Sequence, residues 1–333
     1  MEDIVFYNFS FERLAVRGRV ISENLTVKFR GYGTFELHLP LTDSEIIEIL
    51  EQNEYIFCVQ GDNQAVVTGW RLDEDIAVFG KTPEWLLTKY ILPKGFSVSR
   101  VFPDEAARRA LTKVLGSDVT FGEYRITGGK TVTLTTDKPQ TLYEFISDTL
   151  HEVTVLDASR KLVTVRPGFR LRADARAKKL VFDTLMGDER RVILSQSDKS
   201  AYGMIYTREL EDKTTGGVWY QKKTTAEDGT ETVEWTQTAA GSQTGFRKWS
   251  AVIPETLTDD ELKKKTAELA ASENIECDVR RLELGRDYDI GDRVRVRFET
   301  EGFKKTLKRY VTGVEIYNDT DGCGVRPILE VEL

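Results

Sequence analysis

The chain has 333 residues, 40% apolar and 31% charged, the proportions of an ordinary folded protein with room for two or three domains, so general disorder is excluded. Its 47 basic and 55 acidic residues leave a net charge of −8, which argues against a general phosphate-binding surface, leaves local basic patches open, and points to proteins as partners. Cys58, Cys277 and Cys323 are few, odd in number and widely spaced, so neither a disulfide framework nor a zinc site is indicated, and a reducing cytoplasm is the expected place of folding.

Met1-Glu2-Asp3-Ile4-Val5 lacks a charged start followed by a long apolar run, and no stretch reaches the length of a bilayer span, so neither conventional export nor membrane embedding is expected. Residues 1 to about 81 alternate β-rich runs with polar turns: Val16 to Phe29, Thr34 to Leu39, Tyr55 to Val59, Ala65 to Leu72 and Ile76 to Phe79. A capping box over Thr42-Asp43-Ser44-Glu45, with the Thr42 hydroxyl as acceptor, predicts a helix whose apolar face holds Ile46, Ile47, Ile49 and Leu50. Thr82-Pro83-Glu84-Trp85 announces a second short helix with proline at its first position.

From about Phe102 a helix carries Ala106, Ala107, Ala110, Leu111, Val114 and Leu115 and is stopped by Gly116. A capping box at Thr141 to Glu144 opens another, with Leu142, Phe145, Ile146 and Leu150 on one side, among strands at Thr131 to Thr135, Val153 to Leu156 and Lys161 to Arg166. Strand texture returns with Val192 to Leu194, Tyr202 to Leu210 and Val218 to Thr224, followed by an Asp228-Gly229 hairpin tip before Thr230 to Thr236. Thr236 to Gly245, rich in Thr, Gly, Ser and Gln, is the expected mobile loop. Thr258 to Glu261 caps a helix read through about Asn274, and strands at Cys277 to Leu284, Arg293 to Phe298, Thr306 to Ile316 and Val325 to Val331 finish the chain.

Two segments echo one another: Val67-Thr68-Gly69-Trp70-Arg71-Leu72 and Val311-Thr312-Gly313-Val314-Glu315-Ile316 each follow a strand and a turn. The echo points to two similar β modules; chance is the competing explanation, because strands reuse few residue types. The resulting fold class is α+β, mainly β: two similar antiparallel β-barrel modules at 1–100 and 191–333, with an intervening small α+β domain at 101–190.

Signals for chemistry are weak. Gly128-Gly129-Lys130-Thr131 ends like a phosphate loop, yet Tyr124 stands where its first glycine belongs and strand-like residues follow, so it reads as a turn. Asp319-Thr320-Asp321-Gly322 resembles part of a calcium loop, but Tyr317 and Ile328 occupy the first and last ligand positions and a hairpin turn fits better. Gly31-Tyr32-Gly33 lacks the third glycine of a dinucleotide fingerprint and leads into a strand. His38 is expected on a strand facing away from Leu37 and Leu39, and His151 at a helix end against the terminal carbonyls. Asp259/Asp260 fits a helix start, and Lys263-Lys264-Lys265 a solvated helix face. No catalytic, cofactor-binding or metal-binding residue is assigned, and no cofactor is expected.

Five collinear segments together resemble the hub family at the distal end of non-contractile phage tails. They are Lys28-Phe29-Arg30-Gly31-Tyr32-Gly33-Thr34-Phe35-Glu36-Leu37-His38-Leu39-Pro40, Phe79-Gly80-Lys81-Thr82-Pro83-Glu84-Trp85-Leu86-Leu87, Thr141 to Glu152, Val192-Ile193-Leu194-Ser195 and Arg286-Asp287-Tyr288-Asp289-Ile290-Gly291-Asp292-Arg293-Val294. The departure is Arg166-Pro167-Gly168-Phe169-Arg170-Leu171, where a polar Gly-Arg-Asp-like segment is the family's pattern, which leaves the linker into the second module open. The resemblance implies a homotrimer of two-module subunits, so that six modules meet the six-fold tail tube and distal tail ring while the other end offers three-fold symmetry. It further implies a tape-measure protein and a tail fibre or receptor-binding protein as partners, passage of DNA, a place at the virion's tail tip, and assembly in the host bacterial cytoplasm. In this picture Asp289-Ile290-Gly291-Asp292 is a structural turn. The peptidoglycan-cleaving regions of some relatives are not expected here.

The rival readings are a host-surface or carbohydrate-binding module, resting on Trp219, Tyr220, Trp235 and Trp249 near the hairpin, and a cell-wall hydrolase, opposed by the lack of a recognisable nucleophile, metal set or acid/base pair. The chain is expected to be non-enzymatic.

Overall fold

The period-two patterns become pleated strands with one covered face. Phe35, Leu37 and Leu39 are buried while Glu36 and His38 turn outward, and Ile275, Cys277 and Val279 are buried around Glu276 and Asp278. The computed structural model describes residues 3–18, 20–122, 126, 129–157, 159–210, 213, 216–225, 231–238, 248–268, 272–320 and 322–331.

The first stretch holds β1 (Ile4–Asn8), β2 (Arg13–Arg17), β3 (Ser22–Lys28), β4 (Thr34–Leu39), α1 (Ser44–Gln52), β5 (Ile56–Gln60), β6 (Asn63–Leu72) and β7 (Ile76–Lys81), then the 3₁₀ helix Pro83–Thr88. The middle holds β8 (Ile91–Leu92), β9 (Ser97–Val101), α2 (Pro103–Leu115), β10 (Val119–Phe121), β11 (Val132–Thr135), β12 (Gln140–Thr141), α3 (Leu142–Thr149), β13 (Val153–Leu156), β14 (Leu162–Val165), β15 (Gly168–Asp174) and β16 (Lys179–Leu185). The last holds β17 (Glu189–Ser195), β18 (Ala201–Glu209), β19 (Val218–Thr225), β20 (Glu231–Gln237), β21 (Ala251–Thr256), α4 (Asp259–Glu268), β22 (Ser272–Val279), β23 (Arg293–Thr300), β24 (Phe303–Asp319) and β25 (Gly322–Glu330).

The fold is mainly β, as expected, and α2 and α3 fall in the middle stretch. Met1–Met204 with Glu276–Leu333 make one compact unit, and Ile205–Ile275 a second. The main sheet runs β18-β22-β25-β24-β3-β4-β7-β6-β5-β1-β2, with β23 and β17 attached beside β24. Among the described residues this path is open, with β18 and β2 at its ends. In the middle segment, Leu111, Leu142, Phe145, Ile146, Phe169 and Phe182 bury one another with Leu86 and Leu87 of the 3₁₀ helix. In the smaller unit, β19 lies between β20 and β21, and Val218, Tyr220 and Ile253 pack on one side with Leu257 and Leu262.

Several local expectations needed correction. α1 is capped by Asp43 rather than Thr42: the Asp43 carboxylate accepts from the Ile46 amide while Arg17 donates to both Asp43 and Glu45. A charged acceptor already oriented by a guanidinium outcompetes the hydroxyl one residue earlier. The helix opened by Thr258 ends at Glu268, and 272–274 belong to β22, because burial of Ile275 and Cys277 on one face extends the strand toward its start. The Arg166–Leu171 departure, which left the linker open, leads into β15 from Gly168, and β15 pairs antiparallel with β16, as β10 pairs parallel with β16. Two other features read in the sequence, the Asp228-Gly229 tip and most of the Thr236–Gly245 loop, lie outside the described residues.

Candidate assembly site: a seam between two strand sets of one order

Taken in chain order, β1, β3, β4, β5, β6 and β7 lie side by side as β1-β5-β6-β7-β4-β3. The strands β17, β18, β22, β23, β24 and β25 lie as β17-β23-β24-β25-β22-β18, which is the same permutation. The sets differ in that β1 pairs antiparallel with β5 whereas β17 pairs parallel with β23, and in that residues 210–271 come between β18 and β22 in the chain.

The Val-Thr-Gly echo falls on equivalent strands and carries the same irregularity. Register slips between Val67 and Gly69 where β6 meets β7, and between Val311 and Gly313 where β24 meets β25. In each the extra residue is the threonine, so both strands bend at a β-bulge. Upstream of Thr312, β24 pairs with β23; downstream, the same edge receives β3, from Gly313 opposite Lys28 to Asn318 opposite Glu23. That antiparallel seam joins strands nearly three hundred residues apart in the sequence.

Charged and polar side chains line it. Asn24 donates to Glu315 at 2.7 Å, and Arg326 bridges Glu315 at 3.1 Å and Asp278 at 3.2 Å while lying over the Tyr317 ring. The hydroxyls of Tyr202 and Tyr317 are 3.2 Å apart, and this hydrogen bond, with burial and Asp278 nearby, pushes the Tyr317 phenol well above its usual range.

At the end of β3 the seam becomes a junction. Phe29 is 1% exposed; its amide donates to the carbonyl of the bulged Thr312 at 2.8 Å, and its own carbonyl accepts from Phe169 of β15 at 3.2 Å. Gly291 of the Asp289-Ile290-Gly291-Asp292 turn presses on its ring: a Cβ there would lie 2.3 Å from a Phe29 ring carbon, and φ is +97°. Only a residue without Cβ meets both conditions. Asp292, 1% exposed, ties the turn together by accepting from the Asp289 amide at 2.8 Å, the Asp188 amide at 2.8 Å and Arg190 Nε at 2.7 Å.

Other segments noted in the sequence close around the same place. The Gly33 amide donates to Thr82 Oγ1 at 2.8 Å, joining Gly31-Tyr32-Gly33 to the Thr82-Pro83 helix start. Arg30 donates to the carbonyls of Ser147 and His151 at the end of α3, and Tyr32 meets Tyr143 edge to face. Thr141 and Glu144 form their capping box.

Gly129 holds φ +102°, Lys130 donates its amide to the Thr154 carbonyl, and β11 follows; Tyr124 and Gly128 lie outside the described residues. Asp319 accepts from the Gly322 amide at 3.0 Å across the β24–β25 hairpin, with Asp321 outside the described residues. His38 sits between Asp75 (2.7 Å) and Glu36 (3.0 Å); burial pulls its pKa down, but the two hydrogen-bonded carboxylates more than offset this and raise it. His151 is exposed and donates its amide to Asp148.

Among the described residues, no group of three or more His, Cys, Asp or Glu side chains is placed to hold a metal ion, and no helix is long and apolar enough to cross a membrane. Phe29, Gly168, Gly187 and Thr312 were not singled out as a junction from sequence; the repeated Val-Thr-Gly and the Asp289-Ile290-Gly291-Asp292 turn were the signals that led toward it. A Cβ on Gly168 would meet the Phe29 carbonyl at 2.2 Å, and one on Gly187 the Gly291 carbonyl at 1.8 Å.

No protein-family model matches the sequence, and no curated protein matches it. Solved structures do match the fold. The 43 kDa tail protein of prophage MuSo2 from Shewanella oneidensis superposes with a TM-score of 0.57 at 14% identity, covering 98% of this chain and 97% of that one. A tail protein from Neisseria meningitidis MC58 gives 0.54 at 11%, covering 98% and 95%. Prophage tail protein gp18 from Listeria monocytogenes EGD-e gives 0.54 at 10%, covering 99% and 95%. All three are tail proteins, two of them from prophages, and this chain has their fold along nearly its whole length.

Proposed function

We propose that the chain is a structural, non-enzymatic subunit of a phage tail that forms a homotrimeric hub at the tail tip. The observation that carries this reading is the repeated strand order with its shared bulge: a subunit with two equivalent modules lets three chains present six equivalent surfaces. In this reading 1–100 and 191–333 are two barrel-like modules set around the 101–190 segment. Six modules would meet the tail tube and the distal tail ring protein, and the three-fold face would meet a fibre or receptor-binding protein. Tape-measure protein and then DNA would pass through the centre, and the subunit would be assembled in the host bacterial cytoplasm. The non-enzymatic assignment draws support from the site's polar groups, whose partners are structural: Asp292 orders a turn and Glu315 a strand seam.

Absolute mass by light scattering over a range of concentrations, alone and with the distal ring protein, tests it. A trimer in either condition is expected; a monomer in both overturns the hub reading. One observation favours a second reading, a carbohydrate-binding tail module. Trp219, Trp235, Val233 and Val252 are 40–63% exposed, and the cross-strand register puts them on one face of the β20-β19-β21 sheet. Tyr220 points to the opposite, buried face. Binding of a monomer to host glycans would select that alternative.

A further inference from the structure

The same strand set is finished in one half of the chain and unfinished in the other. In the second set, β24 uses the edge beyond its bulge to hold β3. In the first, β6 pairs with β5 only from Asn63 to Val67, and among the described residues no strand lies along that edge from Thr68 to Leu72. The strand equivalent to β3 in the second set is β18: β3 borders β4 as β18 borders β22. The other edge of β18 has no strand partner among the described residues. Each chain therefore carries both halves of a second joint of the kind it already contains, left unjoined.

A glycine supplies an independent sign. At the filled joint, a Cβ on Gly313 would lie 2.6 Å from the Val27 carbonyl, so the approach of β3 requires glycine. At the equivalent Gly69 a Cβ would meet nothing within 4 Å. A glycine inside a strand marks a bulge, a bend or the close approach of another backbone; both glycines follow a bulge, and among the described residues only Gly313 is closely approached. Leu72 and Ile205, 43% and 57% exposed, lie on the two unfilled strands.

We infer that the β6 edge from Thr68 to Leu72 pairs antiparallel with β18 of a second copy of this chain, reproducing between subunits the β24–β3 joint made within each. Strand addition of this kind is head-to-tail, and such contacts close into a ring when the rotation allows. It also covers two open edges that a soluble protein otherwise leaves available for aggregation. The inference rests on the trimeric reading above and names the surface that would hold it together.

Two variants test it in the full chain, with the distal ring protein added where needed for assembly. Gly69→Val places a branched side chain where the structure has free space. It should leave the urea midpoint of the subunit unchanged or higher, yet abolish the trimer in light scattering. In a Cys323→Ser background, Arg71→Cys combined in turn with Ile205→Cys, Thr207→Cys and Glu209→Cys samples neighbouring registers. On mild oxidation at least one pair should give covalently linked dimers and trimers that neither single variant gives. A trimer that survives Gly69→Val and yields no cross-link in any pairing overturns the joint and leaves the hub reading standing. A parent chain that stays monomeric in both conditions overturns both.

Discussion

Gly291 offers a direct test of how the two strand sets are locked together. In Gly291→Ala the new methyl carbon would sit 2.3, 2.7 and 2.8 Å from three carbons of the Phe29 ring. Ordinary carbon contacts are about 3.5–4.0 Å, so the ring or the turn must move by about 1 Å. Phe29 is 1% exposed and held at its amide and carbonyl by Thr312 and Phe169, so displacement is an overpacking cost of about 1–3 kcal/mol. Alanine at φ +97° adds about 1–2 kcal/mol, partly offset by about 0.4–1 kcal/mol from the stiffer unfolded chain. The net expectation is a loss of about 2–4 kcal/mol, read as a lower urea midpoint at unchanged slope. Gly302→Ala is the control: its φ is +82°, but a Cβ there meets nothing within 4 Å, so about 1 kcal/mol or less should be lost. Introduced beside Phe29→Leu, Gly291→Ala should cost less than in the parent, because the shorter side chain relieves the clash. Equal losses in both backgrounds, or equal losses for Gly291→Ala and Gly302→Ala, would refute the idea that this glycine serves the Phe29 contact.

Three further outcomes are expected. The His38 pKa is raised in the fold above its ordinary 6.5, so its pairing with Asp75 and Glu36 contributes fully below 6.5 and fades as pH rises through the raised value; the stability gap between the parent and His38→Gln should shrink over that interval, and a gap that widens with pH would contradict the carboxylate clamp. Asp292→Ala removes the acceptor for two amides and for the partly exposed Arg190, which should lower stability by about 2–4 kcal/mol in urea unfolding. Burial pushes the Cys58 thiol up and the Cys277 thiol to about 12, whereas Cys323 is exposed; a thiol reagent should label one cysteine per native chain quickly and the other two only on unfolding, and fast labelling of Cys277 would contradict its placement in β22.

What the sequence determined by itself is local. Capping boxes at Thr141 and Thr258 need only residues three apart, and the paired amides and side chains are present. Pro103 and Gly116 bound α2 through backbone preferences that act within one turn, and alternating Phe35, Leu37 and Leu39 declare a strand wherever that strand is placed. The Val-Thr-Gly echo was legible too, although its meaning was not: a bulge exists only relative to a partner strand, and the sequence names no partner. Tertiary structure decided which edge β24 offers to β3, that Phe29 reaches Gly291 and Thr312, and that Asp43 rather than Thr42 caps α1 once Arg17 arrives. It also drew 272–274 out of a helical reading and into β22, and placed the departure at Gly168 in β15. In each of these cases the deciding hydrogen bond or packing contact comes from a distant part of the chain, so the free energy that selects the outcome has no local signature until the sheet has formed.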